Sequence, residues 1–179
     1  MKDRNRSIVT DGSFNLKFIL GILSVGIIVT TIYLTQHYFD VLYPTGLGSG
    51  SLCDINSFFN CDTATHSKAS NIFGVPISLF GLVMGCIFLF GALSKNVELE
   101  GTIYFLSGVN AIGCLILFLY SLMALGSLCP FCTVYYVLSI SIFIIYFKFS
   151  DQKSPSLVTL SILSLIILTL SGVTYAVNK

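Results

Sequence analysis

Cys129-Pro130-Phe131-Cys132 lies between two apolar runs, residues 112–125 and 133–147, so both thiols fall where a membrane-spanning helix begins. Pro130 sits in the first helical turn, where its missing N–H costs nothing and its fixed φ suits helix entry. The helix dipole acts on thiols placed there and raises their thiolate fraction, with Cys129 the better placed of the two. A C-x-x-C also serves zinc knuckles and haem attachment. Haem attachment wants His after the second Cys, and Thr133 stands there instead. The stretch therefore predicts a redox pair at a membrane surface.

Working outward, the composition is that of a polytopic membrane protein: 55% hydrophobic and only 9% charged across 179 residues, with 15 Phe, 9 Tyr and no Trp. Apolar runs near the roughly 20 residues needed to cross about 30 Å of hydrocarbon use up nearly the whole chain. They cover about residues 16–35, 75–93, 103–125, 133–147 and 157–177, which predicts an all-α integral membrane protein with five transmembrane helices in a single domain, 1–179. The first run is too long for a signal-peptide core and lacks a small-residue cleavage site, so it is read as a retained helix. A net charge of +1 with no basic stripe excludes nucleic acid as a partner. No internal repeat divides the spans into inverted halves, which argues against a secondary transporter.

Orientation follows from Lys and Arg near the span ends, which favour the cytoplasmic side. With the N-terminus cytoplasmic, that side holds Lys2, Arg4, Arg6, Lys17, Lys95, Lys148 and Lys153, while the other holds Lys68 and Lys179. The loop 36–74 and the turn bearing Cys129 and Cys132 are then both extracytoplasmic. That loop carries Cys53 and Cys61 behind a Gly/Ser/Pro-rich stretch, residues 44–51, with the turn chemistry of a mobile connector. After Cys61, residues 62–73 have the mixed character of a short interfacial helix.

Four cysteines thus share one face, two on an arm and two at a helix start. Thiol–disulfide exchange needs such a set: one pair that visits a soluble partner and one near the bilayer that receives its electrons. The same four thiols as a zinc site are disfavoured, because Cys53 and Cys61 are too far apart in sequence for a knuckle and an oxidising compartment removes free thiolates, so no metal is expected. Cys86 and Cys114 lie inside spans 2 and 3 and are read as small apolar residues outside the chemistry. No G-x-G-x-x-G, haem motif or flavin signature is present, so the electrons require a lipid-dissolved acceptor. A quinone fits, beside Phe131, Tyr135 and Tyr136. His66, Ser67, Ser70, Asn71 and Asn110 are the polar groups available to its carbonyls, although a helix–helix hydrogen bond is the expected role of Asn110.

Cys53 and Cys61, then Asp62 and Ser67, then Phe73-Gly74-Val75-Pro76-Ile77-Ser78-Leu79-Phe80-Gly81, and finally Cys129-Pro130-Phe131-Cys132 with Tyr136 resemble the vitamin K epoxide reductase family, in its bacterial form. The resemblance implies a four-helix bundle around a quinone pocket, with span 5 as the extra C-terminal helix of bacterial members. It implies that Cys132 faces the quinone, menaquinone or ubiquinone, that Cys129 exchanges with the loop pair, that Ser67 lies by the quinone and the active thiols, and that Tyr136 lines the pocket. Many members carry an aromatic residue two positions after the serine, where this chain has Ala69. Many bacterial members also continue past span 5 into a thioredoxin-like domain, whereas this chain stops at Lys179, so a separate thioredoxin-fold, DsbA-like partner is expected. The DsbB-type proteins share the chemistry but carry the two cysteine pairs in the reverse order. The implied function is disulfide formation at a bacterial inner membrane. The alternative from another class is a non-enzymatic scaffold or lipid-binding protein in which the four cysteines form permanent disulfides.

Overall fold

In the hydrocarbon layer every backbone polar group must be satisfied within the chain, so the long apolar runs have little choice but to become helices. A computed structural model describes residues 14–42, 58–67, 69–72, 75–94, 97–150 and 161. Its long helices are α1 (Phe14–Leu42), α3 (Ile77–Leu93), α4 (Val97–Tyr120, continued by a π turn, Ser121–Leu125) and α5 (Pro130–Phe149), with a short α2 (Cys61–Thr65) between the first two. Three of these, over Asn15–Val41, Leu99–Leu125 and Pro130–Phe149, are long and apolar enough to cross a membrane. With 17 residues, α3 spans about 26 Å, the short end of what a bilayer needs.

The hydroxyls scattered through α1 are accommodated by bonding back to the preceding turn. Ser24, Thr30, Thr31 and Thr35 donate to the carbonyls of Leu20, Gly26, Ile27 and Thr31 at 2.7–2.8 Å. Packing runs α1 against α3 and α5, α5 against α4, and α3 against α4, closing four helices into a ring. Leu20, Ile27, Phe88, Ala92, Ile103, Ile142 and Tyr146 form its core. Close approach of α1 and α3 depends on Gly85, where an added Cβ would meet Ile27 Cγ2 at 2.8 Å and Ile28 Cγ1 at 2.9 Å.

Four expected spans thus appear as helices, with shifted ends. The first continues past residue 35 through Gln36, His37, Tyr38, Phe39 and Asp40 to Leu42. A helix leaving the bilayer needs its backbone bonds but no longer needs apolar side chains. The second begins at Ile77, because Val75–Pro76 pairs antiparallel with Asn71–Ile72. The third starts six residues before position 103, at Val97, and the fourth at Pro130. The fifth expected span, 157–177, lies outside the described residues save for position 161, as do Cys53 and residues 44–51.

Candidate active site

The approach to Cys61 is held by backbone rather than left on a free arm. Asn60 N–H donates to the Leu128 carbonyl at 3.1 Å and Leu128 N–H donates to the Phe58 carbonyl at 2.7 Å, a parallel bridge that sets Phe59 beside Leu128. The residues after each half of that bridge are Asn60 and Cys129, so the start of α2 and the start of α5 are drawn together. Asn60 also caps α2, its Oδ1 accepting from Thr63 N–H at 2.8 Å. The turn into this bridge from the π segment uses Gly126 at φ 60, a left-handed backbone that glycine adopts without penalty. Ser121 Oγ donates to the Ser127 carbonyl at 2.5 Å and holds that turn down.

Cys61 Sγ consequently lies 2.9 Å from Cys129 Sγ. Both residues are almost fully buried, 1% and 2% exposed, under Tyr33, Leu34, Ala64 and Phe131. Cys61 is one half of a disulfide, while Cys129 and Cys132 stand as unoxidised thiols. Cys129 is the N-cap of α5, with Pro130 following at the first turn, and its sulfur accepts from Cys132 N–H at 3.3 Å. A donor aimed at sulfur from a helix N-terminus favours negative charge there, as the sequence suggested for Cys129. A nucleophilic sulfur thus faces a disulfide sulfur, with a second thiol one turn away to complete an exchange.

A partly open cavity runs from Cys61, Cys129 and Cys132 down between α1, α3 and α5, and most of its wall is apolar. Tyr136, Tyr135 and Ser70 line it. So do Ser78 of the 73–81 motif and Thr31 and Tyr38, two residues that the sequence reading did not single out. Their signal lay in the helical spacing of polar residues within otherwise apolar runs. Ser67 is not among the lining residues: its Oγ donates to the Ala64 carbonyl at 2.7 Å, which turns the end of α2. His66 is exposed at that end, and Asn71 reaches Tyr38 Oη at 3.5 Å. Phe131 stacks on Tyr33, ring centroids 4.2 Å apart, over the sulfurs rather than along the cavity. Asn110 accepts from the Tyr135 hydroxyl at 2.9 Å, a bond between α4 and α5 of the kind expected for it.

His37, also missed, stands at the polar end of α1, its ring parallel to Tyr33 and its Nε2 3.1 Å from Asp62 Oδ1. Tyr33 and His37 are four residues apart and so share a helix face. Together with Phe131 they fasten α2 and the start of α5 to α1. Cys114 is buried in α4 and Cys86 is exposed on α3, and neither belongs to the apolar cluster around Cys61 and Cys129. Among the described residues no group of His, Cys, Asp and Glu has the makings of a metal site.

No curated protein matches the chain. The family model for the vitamin K epoxide reductase family matches residues 17–147, which include nearly all of α1 and α5 and the contact between Cys61 and Cys129, and the chain therefore belongs to that family of membrane redox proteins.

Proposed function

We propose that this protein is a quinone-linked thiol–disulfide oxidoreductase that oxidises a separate thioredoxin-fold partner and so supports disulfide formation. The observation that carries the reading is the 2.9 Å approach of Cys61 to Cys129 at the head of a cavity lined by both thiols of the C-x-x-C. A partner dithiol attacks the Cys53–Cys61 disulfide at Cys53, forming a mixed disulfide and releasing Cys61 as thiolate. Cys61 attacks Cys129 of the oxidised C-x-x-C, and Cys132 leaves as thiolate. The partner's second thiol displaces Cys53 and departs oxidised. Cys53 then attacks Cys61 and frees Cys129, so two electrons have moved from the partner to the Cys129/Cys132 pair.

A quinone fits the cavity. The walls are apolar enough for a ring and the start of its tail, and Tyr135, Tyr136 and Ser70 offer polar contacts. Bound there, it supplies a two-electron, two-proton sink for the C-x-x-C dithiol. Cys132 is the thiol assigned to face it, and Cys129 returns to Cys61. Burial beneath Tyr33, Leu34 and Phe131 keeps water and stray thiols from the exchanging sulfurs. The reading takes residues 1–179 as one membrane domain with the N-terminus cytoplasmic, the cysteines on the other face and 157–177 as a fifth span.

Thiol trapping in cells separates this reading from a scaffold with permanent disulfides. Acid quenching and alkylation should find Cys129 and Cys132 in a mixture of reduced and oxidised forms, and depleting quinone should shift that mixture towards the reduced form. Cysteines that stay fully oxidised under both conditions would favour the scaffold.

A further inference from the structure

Tyr135 lines the cavity one turn beyond Cys132, in a place kept open for its ring by Gly81 of α3, where an added Cβ would come within 3.1 Å of Tyr135 Cε2. Its hydroxyl donates to Asn110 Oδ1, yet the other end of that amide, Nδ2, is buried with no hydrogen-bond partner. An unmatched donor inside an apolar bundle is costly, and a bond serving only to join two helices has no use for it. A phenol has one proton to give and lone pairs to receive. While that proton goes to Asn110 Oδ1, the Tyr135 oxygen can only accept from any further group. Turning the amide by 180° exchanges Oδ1 and Nδ2 in nearly the same space, and no bond at Nδ2 resists the turn. Nδ2 then donates to Tyr135 Oη, and the phenolic proton is free to point into the cavity.

Resting on the quinone reading above, we propose that Tyr135 is a ligand of a quinone oxygen and that Asn110 reverses the direction of this hydrogen bond with the ligand's redox state. A quinone carbonyl only accepts, and it meets the orientation in which Asn110 donates to Tyr135 and Tyr135 donates onward. A quinol hydroxyl also donates, and it meets the orientation seen here, in which Tyr135 accepts from the ligand and passes its own proton to Asn110. One pair of side chains thereby offers the quinone a donor and the quinol an acceptor. Asn110 touches no ligand in this arrangement and is a positioning residue.

The test compares wild type, Tyr135→Phe and Asn110→Leu by calorimetric titration in lipid nanodiscs with a short-chain ubiquinone and its quinol. Oxidised protein is used for the quinone and reduced protein for the quinol, so neither titration carries net electron transfer. Tyr135→Phe should weaken both ligands about tenfold, the loss of one hydrogen bond. The infrared band of a ¹³C-labelled quinone carbonyl should move to higher wavenumber in the same variant. Asn110→Leu leaves the hydroxyl free to donate but takes away its acceptor, so quinone affinity should hold within about threefold while quinol affinity falls about tenfold. The carbonyl band reports only on protein that binds ligand, so partial unfolding does not imitate its shift. Unchanged affinities and an unmoved band in Tyr135→Phe, or equal losses for both ligands in Asn110→Leu, would overturn the proposal while leaving the quinone reading intact. Failure of wild type to bind either form would overturn both.

Discussion

Cys132→Ala should reduce quinone at least about a thousandfold more slowly than wild type when a reduced thioredoxin-like protein is the donor, because the variant has no second thiol beside the cavity. Cys129 retains its place against Cys61 and exchange between them remains open. What is lost is the pair that stores two electrons next to the acceptor. Detergent-purified protein, a short-chain quinone and its absorbance suffice for the measurement. Cys86→Ser, on the exposed face of α3, serves as the control and should run at the wild-type rate. Quinone reduction by Cys132→Ala within about tenfold of wild type would mean that electrons bypass the C-x-x-C, and the mechanism would fall.

The second large effect concerns which cysteine meets the partner, a point on which the sequence is silent. Cys61 is 1% exposed, lies under Tyr33 and Phe131 and touches Cys129, so a folded protein has no path to it in this arrangement. The partner is therefore left with Cys53. In Cys61→Ala the lone Cys53 thiol attacks the disulfide of an oxidised partner, and with no Cys61 to displace it the mixed disulfide opens only through the partner's own second thiol, so it should accumulate in cells at about ten times the level of any partner mixed disulfide in Cys53→Ala. In Cys53→Ala the remaining loop thiol is instead captured by Cys129. Non-reducing gels with mass spectrometry of the trapped band read the difference. A partner held mainly by Cys61, in Cys53→Ala, would reverse the order of the relay.

The parts of this site legible in the sequence were those written in local chemistry. Pro130 after Cys129, followed by an apolar run, announced a helix start with a sulfur at its cap, and α5 begins there. The apolar runs announced the helices, though not their ends: Gln36 to Asp40 read as loop because they are polar, and they remain helical because the backbone bonds of α1 simply continue. The docking of Cys61 was not legible. It rests on a bridge between Phe59 and Leu128, 69 positions apart, and no local pattern encodes a contact at that separation. The Gly/Ser-rich residues 44–51 suggested a freely hanging pair of thiols, whereas Cys61 is fixed and Cys53 lies outside the described residues. Ser67 carried the family's expectation for a pocket residue, yet its hydroxyl is engaged by the Ala64 carbonyl one turn back, a local bond that a resemblance between sequences does not reveal.

The central claim is that Cys61 hands electrons to Cys129, and the double variant Cys53→Ala/Cys132→Ala tests it most directly. Each pair then lacks its usual resolving thiol, and the two sulfurs found 2.9 Å apart are the ones that remain. Mild oxidation of the purified protein, followed by alkylation and non-reducing peptide mapping, should find a Cys61–Cys129 disulfide in most molecules. Recovery of Cys61 and Cys129 as separately alkylated thiols, or of Cys61 joined to Cys86 or Cys114 instead, would contradict the relay.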